Sequence, residues 1–306
     1  MREETFGAQF TYWLKLARLP FYLAGFLPFL LGSLIAARFG YFNVHIFSLA
    51  AAAVLLIMLS TNLNGEAYDV REDAFSQKFG KNKFTGGSGI LVRGLVPVNQ
   101  VKFVSLISAG LALSIGVVLQ FVFHTGPATL ILGASGLIAG FFYSRPPLRW
   151  INRGFGEVLI GYCYGWLPVA TAFYLQADYV HTLIHWVSIP VALTIFNVIL
   201  INEFPDCAAD TAAGKKNLLV RIGDRWARRL YGAGVIGSGV TFYNSVIMGA
   251  PFAALLYFAP FFIVALINMR TVLHGDLSRS KTLERVCGLT ILVNIGTLLA
   301  YLVSYL

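Results

Sequence analysis

A polytopic, all-α membrane protein is the fold class this sequence predicts, on three observations. Apolar residues fill 57% of the 306 positions and charged residues only 12%, against about 25% charged in soluble domains. Apolar runs of roughly 20 residues recur from near the first residue to the last, each long enough to cross a hydrocarbon core of about 30 Å as a helix. Positive charge is confined almost entirely to alternate connections between these runs. The short alternating segments of a membrane β-barrel are missing.

Nine spans follow in order: 20–37, 44–64, 100–123, 128–143, 155–175, 182–202, 230–248, 252–269 and 283–306. The stretch 10–19 precedes the first, and its Tyr12, Trp13 and Lys15 suit a helix lying in the membrane interface. The first run is flanked by Arg18 and Arg38 and reads as a span rather than a cleaved leader. With nine spans, 22 of the 23 basic residues share one face, and Arg38 stands alone on the other. The positive-inside rule makes the basic face cytoplasmic. The N-terminus is then inside, the C-terminus outside, and the expected location is the plasma membrane. The net charge of +9 is accounted for by this topology, and no nucleic-acid partner is expected. Cys163, Cys207 and Cys287 are far apart, and the five histidines form no metal-spaced pair. Neither a disulfide framework nor a zinc site is indicated.

The chain repeats itself. Glu66-x-x-Asp69-x-x-x-Asp73 ends the second apolar run, and Glu203-x-x-Asp206-x-x-x-Asp210 ends the sixth. Lysines follow both: Lys81 and Lys83 after the first, Lys215 and Lys216 after the second. The expected organisation is one membrane-embedded domain over 1–306, with half-repeats of about 1–150 and 151–282 and a ninth span at 283–306. Parallel repeats of this kind put a shared site at their interface.

Seven of the 14 acidic residues lie in these two segments. Positions i, i+3 and i+7 share a helix face, so each cluster is expected to converge at a helix end. Grouped carboxylates resist ionisation, and a hard cation relieves them. Mg²⁺ takes one or two carboxylates together with substrate phosphate oxygens. Two clusters therefore suggest two metal sites around one diphosphate. Solvated loop charges paired with nearby lysines are the plain alternative, weakened by the identical spacing of the two clusters.

The segment from Asn62 to Asp73 (Asn-Leu-Asn-Gly-Glu-Ala-Tyr-Asp-Val-Arg-Glu-Asp) resembles the first aspartate-rich motif of the UbiA superfamily of intramembrane prenyltransferases. Asn202-Glu203-Phe204-Pro205-Asp206, with Asp210 and Gly214-Lys215-Lys216, resembles the second. Arg18-Leu19-Pro20, Thr85-Gly86-Gly87-Ser88-Gly89, Tyr143-Ser144-Arg145-Pro146-Pro147-Leu148 and Arg153-Gly154-Phe155-Gly156-Glu157 look like further signatures. The Gly-Gly-Ser-Gly and Asn-Glu-Phe-Pro-Asp segments are most similar to the 1,4-dihydroxy-2-naphthoate prenyltransferase branch of menaquinone biosynthesis. Gly65-Glu66 stands where the family often has Asn-Asp, and Asn217 where the branch often has threonine.

The resemblance implies transfer of a polyprenyl group from a prenyl diphosphate to an aromatic or lipid acceptor at the cytoplasmic face. It implies two Mg²⁺ ions, held by Asp69 and Asp73 on one side and Asp206 and Asp210 on the other, partly through diphosphate or water. Asn62, Asn64, Glu66 and Asn202 are candidates to support the substrate. Lys81, Lys83, Arg71, Lys215 and Lys216 are candidates for phosphate contact, with Lys81 and Lys83 first because they precede the glycine-rich turn. Tyr143 is the first candidate to stabilise an allyl cation through its ring quadrupole. Tyr68 is the second, though more readily an interfacial anchor. Ser144 is a further substrate-binding candidate, Arg145 a candidate to orient an acceptor carboxylate, and Arg153 and Glu157 either line the pocket or form a buried structural pair. The bundle interior, open towards membrane lipid, would hold the isoprenoid tail. Other acceptors stay open: 4-hydroxybenzoate, homogentisate, a porphyrin, or a glycerophosphate ether lipid such as geranylgeranylglyceryl phosphate. A cation-coupled secondary transporter is the rival of another class, disfavoured because its site would usually lie near the membrane midplane.

Overall fold

The computed structural model describes residues 6–79 and 87–306, and within them the regular structure is helical with no strand. A short helix α1 (Phe6–Ala17) leads through a tight turn into α2 (Tyr22–Arg38). Then come α3 (Val44–Tyr68), α4 (Val70–Phe79), α5 (Val98–Phe121) and α6 (Ala128–Phe141). In the rest of the chain lie α7 (Gly156–Gly161), α8 (Leu167–Ala177), α9 (Thr182–Ala213), α10 (Leu218–Ile247), α11 (Ala253–His274) and α12 (Ser280–Tyr305). One π-helical turn, Tyr162–Trp166, joins α7 to α8.

A helix stands at each of the nine expected places. Seven helical stretches are long and apolar enough to cross a membrane, and they contain α2, α3, α5, α7 with α8, α9, α11 and α12. The other two fall short for separate reasons. Helix α6 has only 14 residues. Helix α10 begins with a basic turn, and glycines and serines dilute its apolar part. Large exposed apolar side chains such as Phe103, Leu106, Phe121 and Ile131 suit a lipid-facing surface, since lipid replaces water around the outside of such a bundle.

Small residues let the helices approach closely. A Cβ on Gly32 of α2 would lie 2.2 Å from the Val169 carbonyl oxygen of α8, so these helices cross backbone to backbone. Gly165 repeats the device against α9, where a Cβ would lie 2.5 Å from Ala192 Cα. Away from the acidic clusters the core is largely apolar, with buried asparagines such as Asn197, Asn268 and Asn294 hydrogen-bonded between helices. Leu31, Ile35, Val169, Phe173, Phe242, Phe258 and Tyr301 form one cluster, with Phe242 stacked between Phe258 (3.9 Å) and Tyr301 (4.2 Å). Arg38 donates to the carbonyls of Tyr305 (2.6 Å) and Leu306 (2.7 Å). It caps the end of α12, where a cation also complements the helix dipole.

The two acidic clusters are built differently. Glu203, Asp206 and Asp210 all ride on α9, which continues past position 202 to Ala213 through Pro205. The first cluster does not lie on one helix as its spacing predicts. Helix α3 ends at Tyr68, Asp69 leaves helical geometry (φ −95°, ψ 9°), and the chain resumes as α4 carrying Asp73. Helix α4 packs against α9, which turns the first cluster towards the second.

Candidate active site

One cavity of about 580 Å³ joins the two clusters. Its polar end is lined by Asn62, Glu66, Asp69, Asp73, Asn202 and Glu203, with Asp206, Asp210, Lys215 and Asn217 beside them. Tyr143 and Ser144 line the same end, and the remainder is apolar, with Leu23, Val54, Met58, Leu132, Ile195 and Ile295 among its walls. A charged head and an apolar tail are the chemistry this shape can accept.

Asp69 sits where α3 ends, and its Oδ2 accepts from the Ser144 hydroxyl at 2.6 Å. Its Oδ1 is buried with no donor, which leaves one oxygen available to an incoming group. Burial pushes the Asp69 carboxyl above the usual range, against the pull of Lys215. Asp73 accepts from the Gly87 backbone N–H at 2.7 Å. Desolvation, then the nearby Glu66 charge, pushes it up to about 7. A Cβ on Gly87 would lie 2.0 Å from Asp73 Oδ2, so only glycine allows this approach. Glu66 lines the cavity but already has partners: Ser88 donates to it from its backbone N–H (3.0 Å) and hydroxyl (2.7 Å). Arg18 lies 3.4 Å away on the same carboxylate.

The second cluster is held from the start of α10. Lys215 contacts Asp210 Oδ1 at 3.3 Å. Burial disfavours the lysine's charge, but Asp210 and Asp69 outweigh it and hold Lys215 above its ordinary value. Asn217 Nδ2 donates to Asp210 Oδ2 at 2.8 Å, while its Oδ1 caps α10 by accepting from Val220 N–H at 3.0 Å. Asn202 Oδ1 is buried with no donor.

The remaining sequence candidates divide cleanly. Asn62 lines the cavity and donates to the Ala17 carbonyl at 3.1 Å. Asn64 does not line it; its amide donates to the Phe141 carbonyl and ties α3 to α6. Arg71 and Lys216 are exposed and absent from the cavity wall. Arg145 lies over the rings of Tyr68 (5.4 Å) and Phe141 (4.7 Å), outside the cavity. Tyr68 packs against the buried cluster that contains Leu63, lies under Lys102 at 4.4 Å, and is not part of the cavity wall. Tyr143 is half-buried and lines the cavity, with Glu157, Glu203 and Asp69 around it. Arg153 and Glu157 do not form the expected buried pair. Arg153 donates to the Leu148 and Pro147 carbonyls, whereas Glu157 accepts from Leu218 N–H at 3.0 Å. Lys81 and Lys83 lie outside the described residues.

Three supports were missed in the sequence. Ser88 and Asn217 each hold a cluster carboxylate, and Arg149 pairs with Glu72. Asn217 was findable, because an asparagine just before an apolar run is an N-cap signal. The other two contacts join distant segments and have no local signature.

Among the described residues no three acidic, histidine or cysteine side chains converge on one ion position. The donors present are hard oxygens spread across the cavity mouth, with a free buried oxygen on Asp69. That fits Mg²⁺, which uses few protein ligands and completes its shell with water and phosphate; it does not fit a closed protein-only metal cage.

Fold and site together define an all-helical membrane protein with a cavity that pairs two carboxylate clusters with an apolar interior. The model of the UbiA prenyltransferase family matches residues 26–299. The chain belongs to that family and is a prenyltransferase. It is similar to the 1,4-dihydroxy-2-naphthoate octaprenyltransferase of Bacillus subtilis (strain 168), at 28% identity over 228 residues, covering 74% of this chain and 71% of the relative. In fold it resembles a UbiA homolog from Archaeoglobus fulgidus bound to GPP and Mg²⁺, with TM-score 0.62, 17% identity, and coverage of 95% and 99% of the two chains. A digeranylgeranylglyceryl phosphate synthase is also similar in fold, with TM-score 0.68 and 17% identity over 97% and 99% of the chains. The transporter reading of the sequence is set aside by this membership.

Proposed function

We propose that this chain transfers a polyprenyl group from a prenyl diphosphate to 1,4-dihydroxy-2-naphthoate in quinone biosynthesis, with Mg²⁺ as cofactor. The observation that carries the reading is the shared cavity lined by Asp69 and Asp73 from one cluster, Asp206 and Asp210 from the other, and apolar residues beyond them. The acceptor is supported by the 28% identity to the Bacillus naphthoate enzyme. Prenyl transfer to geranylgeranylglyceryl phosphate is the second reading, favoured by the fold match to the synthase of that lipid class. Transfer to 4-hydroxybenzoate remains the third acceptor to test.

Asp69, Asp73, Asp206 and Asp210 would hold two Mg²⁺ ions, and these supply electrostatic stabilisation of the leaving diphosphate when bound. Lys215, held charged by Asp210 and Asp69, adds a point charge at the same end. Asn62 and Asn202 orient the head group. Lys81 and Lys83 remain proposed phosphate contacts. Tyr143 presents an electron-rich ring where the polar and apolar parts of the cavity meet, suited to a developing allyl cation. The apolar walls exclude water, which otherwise captures that cation.

The protein is proposed to cross the plasma membrane nine times as two four-helix halves plus α12. The basic face is proposed as cytoplasmic by the positive-inside rule, which places the site there too. The test is incubation of detergent-purified protein with Mg²⁺, geranylgeranyl diphosphate and each of the three acceptors, read by mass spectrometry. Prenylated naphthoate product that disappears with EDTA supports the reading. Product only with another acceptor replaces the acceptor, and no product with any of them contradicts the proposal.

A further inference from the structure

Two buried carboxyls outside the four proposed metal-holding aspartates meet at the N-terminus of α10. Glu157 Oε1 accepts from Leu218 N–H and Glu203 Oε2 from Leu219 N–H, both at 3.0 Å. Consecutive N–H groups at a helix start point the same way, so their two acceptors are forced to be neighbours. The second Glu157 oxygen is buried with no donor, and Glu157 is the neighbouring acidic group that acts on Glu203. Glu157 is fully buried and Glu203 is 8% exposed; only Glu203 lines the cavity.

The first cluster solves the same problem with opposite charge. There Glu66, the first acid of its motif, accepts a backbone N–H from Ser88 and faces the guanidinium of Arg18. In the second motif Glu203 likewise accepts a backbone N–H, but its neighbour is Glu157. Two buried carboxylates side by side repel, and such a pair settles by sharing one proton. The charged and titratable groups around it are Lys215, Tyr143 and, one turn along α9, Asp206. Lys215 is already engaged by Asp210.

We propose that Glu157 and Glu203 hold one proton between them, and that Glu203 exchanges protons with the ring hydroxyl of the acceptor during prenyl transfer. The assignment rests on the naphthoate reading above. As a ring carbon bonds to the allylic carbon, the C–O bond breaks and its electron pair leaves on the diphosphate. The ring hydroxyl's proton passes to the pair, and both carboxyls become neutral. When the same ring carbon loses carbon dioxide, the electron pair of that C–C bond restores the aromatic ring, and the ring oxygen takes the proton back. Glu203 is the catalytic residue because it reaches the cavity. Glu157, enclosed behind it, is a positioning residue that keeps the shared proton at hand. Glutamate is required in both places because glutamine matches its shape and its hydrogen bond to the helix start but carries no exchangeable acid.

Two measurements test this. Infrared difference spectra of the resting protein above about pH 7, where Asp73 is ionised, should show a protonated-carboxyl carbonyl band in wild type that is lost in both E157Q and E203Q. In steady-state assays E203Q should lower kcat by about 100-fold, the typical contribution of general acid–base catalysis, with KM for geranylgeranyl diphosphate unchanged. E157Q should lower kcat in the same direction. An acceptor bearing an electron-withdrawing ring substituent, already ionised at the assay pH, should restore most of the E203Q rate; a merely structural role for the pair predicts no such rescue. Absence of the wild-type band overturns the proposal whatever the acceptor proves to be. So does an unchanged kcat in E203Q, or a loss of diphosphate binding in step with kcat, which would assign Glu203 to the metal instead. If wild type shows the band but prenylates only another acceptor, the naphthoate reading fails and E203Q is judged on that acceptor by the same criteria.

Discussion

The two acidic clusters share a spacing and differ in nearly everything that holds them. The second is one uninterrupted helix, α9, with its carboxylates met by Lys215, Asn217 and the first N–H groups of α10. The first is broken at Asp69 and held by groups from elsewhere in the chain: Gly87, Ser88, Ser144 and Arg18. Identical motif spacing therefore does not mean identical local structure. The second cluster is prebuilt by its helix, whereas the first exists only while the segment carrying Gly87 and Ser88 lies against it. That difference makes the first cluster the easier of the two to break from outside.

The largest effect expected from this asymmetry is at Gly87. G87A sets a Cβ into Asp73 and forces the carboxylate or the loop away. Loss of a group that orients a metal ligand typically costs about 10–100-fold in affinity, and the Mg²⁺ requirement for prenyl transfer should rise towards the upper end of that range. A wild-type Mg²⁺ dependence in G87A would show that Asp73 is not held by this contact during turnover. Asn217→Ala is the matching lesion in the second cluster and should be milder, because Lys215 still holds Asp210. About tenfold in Mg²⁺ requirement is expected, with about 1 kcal/mol of stability lost with the N-cap. Thermal unfolding and Mg²⁺ titration separate these two consequences.

A smaller effect separates the clusters by pH. Metal binding requires the deprotonated carboxylate, and Asp73 in the metal-free site reaches that form only as pH rises through about 7. Lowering pH from about 8 to 6 protonates Asp73, so the Mg²⁺ requirement should rise, by up to about tenfold. Lys215, shifted upward, keeps its charge throughout that interval and maintains the support of Asp210. The smallest effect is expected at the end of α12. Arg38→Ala removes two hydrogen bonds at the end of α12 and should cost about 1–3 kcal/mol of stability without changing kcat.

Much of this architecture was legible in the sequence because membrane solvation writes it there. Apolar runs locate the helices, and the repeated carboxylates point to the candidate site. Asp69, Asp73, Asp206, Asp210, Tyr143 and Lys215 were all selected from spacing or motif, and they surround one cavity. What stayed hidden depends on chain reversals. The break at Asp69 cannot be seen in i, i+3, i+7 spacing. Asn64 and Arg145 look like substrate ligands by motif, yet they serve the packing of α3 against α6 and of Tyr68. The Glu157–Glu203 pair joins residues 46 positions apart (203 minus 157), and only the start of α10 brings them together.

The central claim is that both clusters grip one diphosphate. Mg²⁺-dependent binding of geranylgeranyl diphosphate to wild type, Asp69→Ala, Asp206→Ala and the double variant tests it most directly. The account predicts that each single variant loses nearly all of the Mg²⁺-dependent affinity and that the double variant loses little more, because one ligand bridges both sites. Losses that simply add, or one cluster whose removal leaves binding intact, would contradict it.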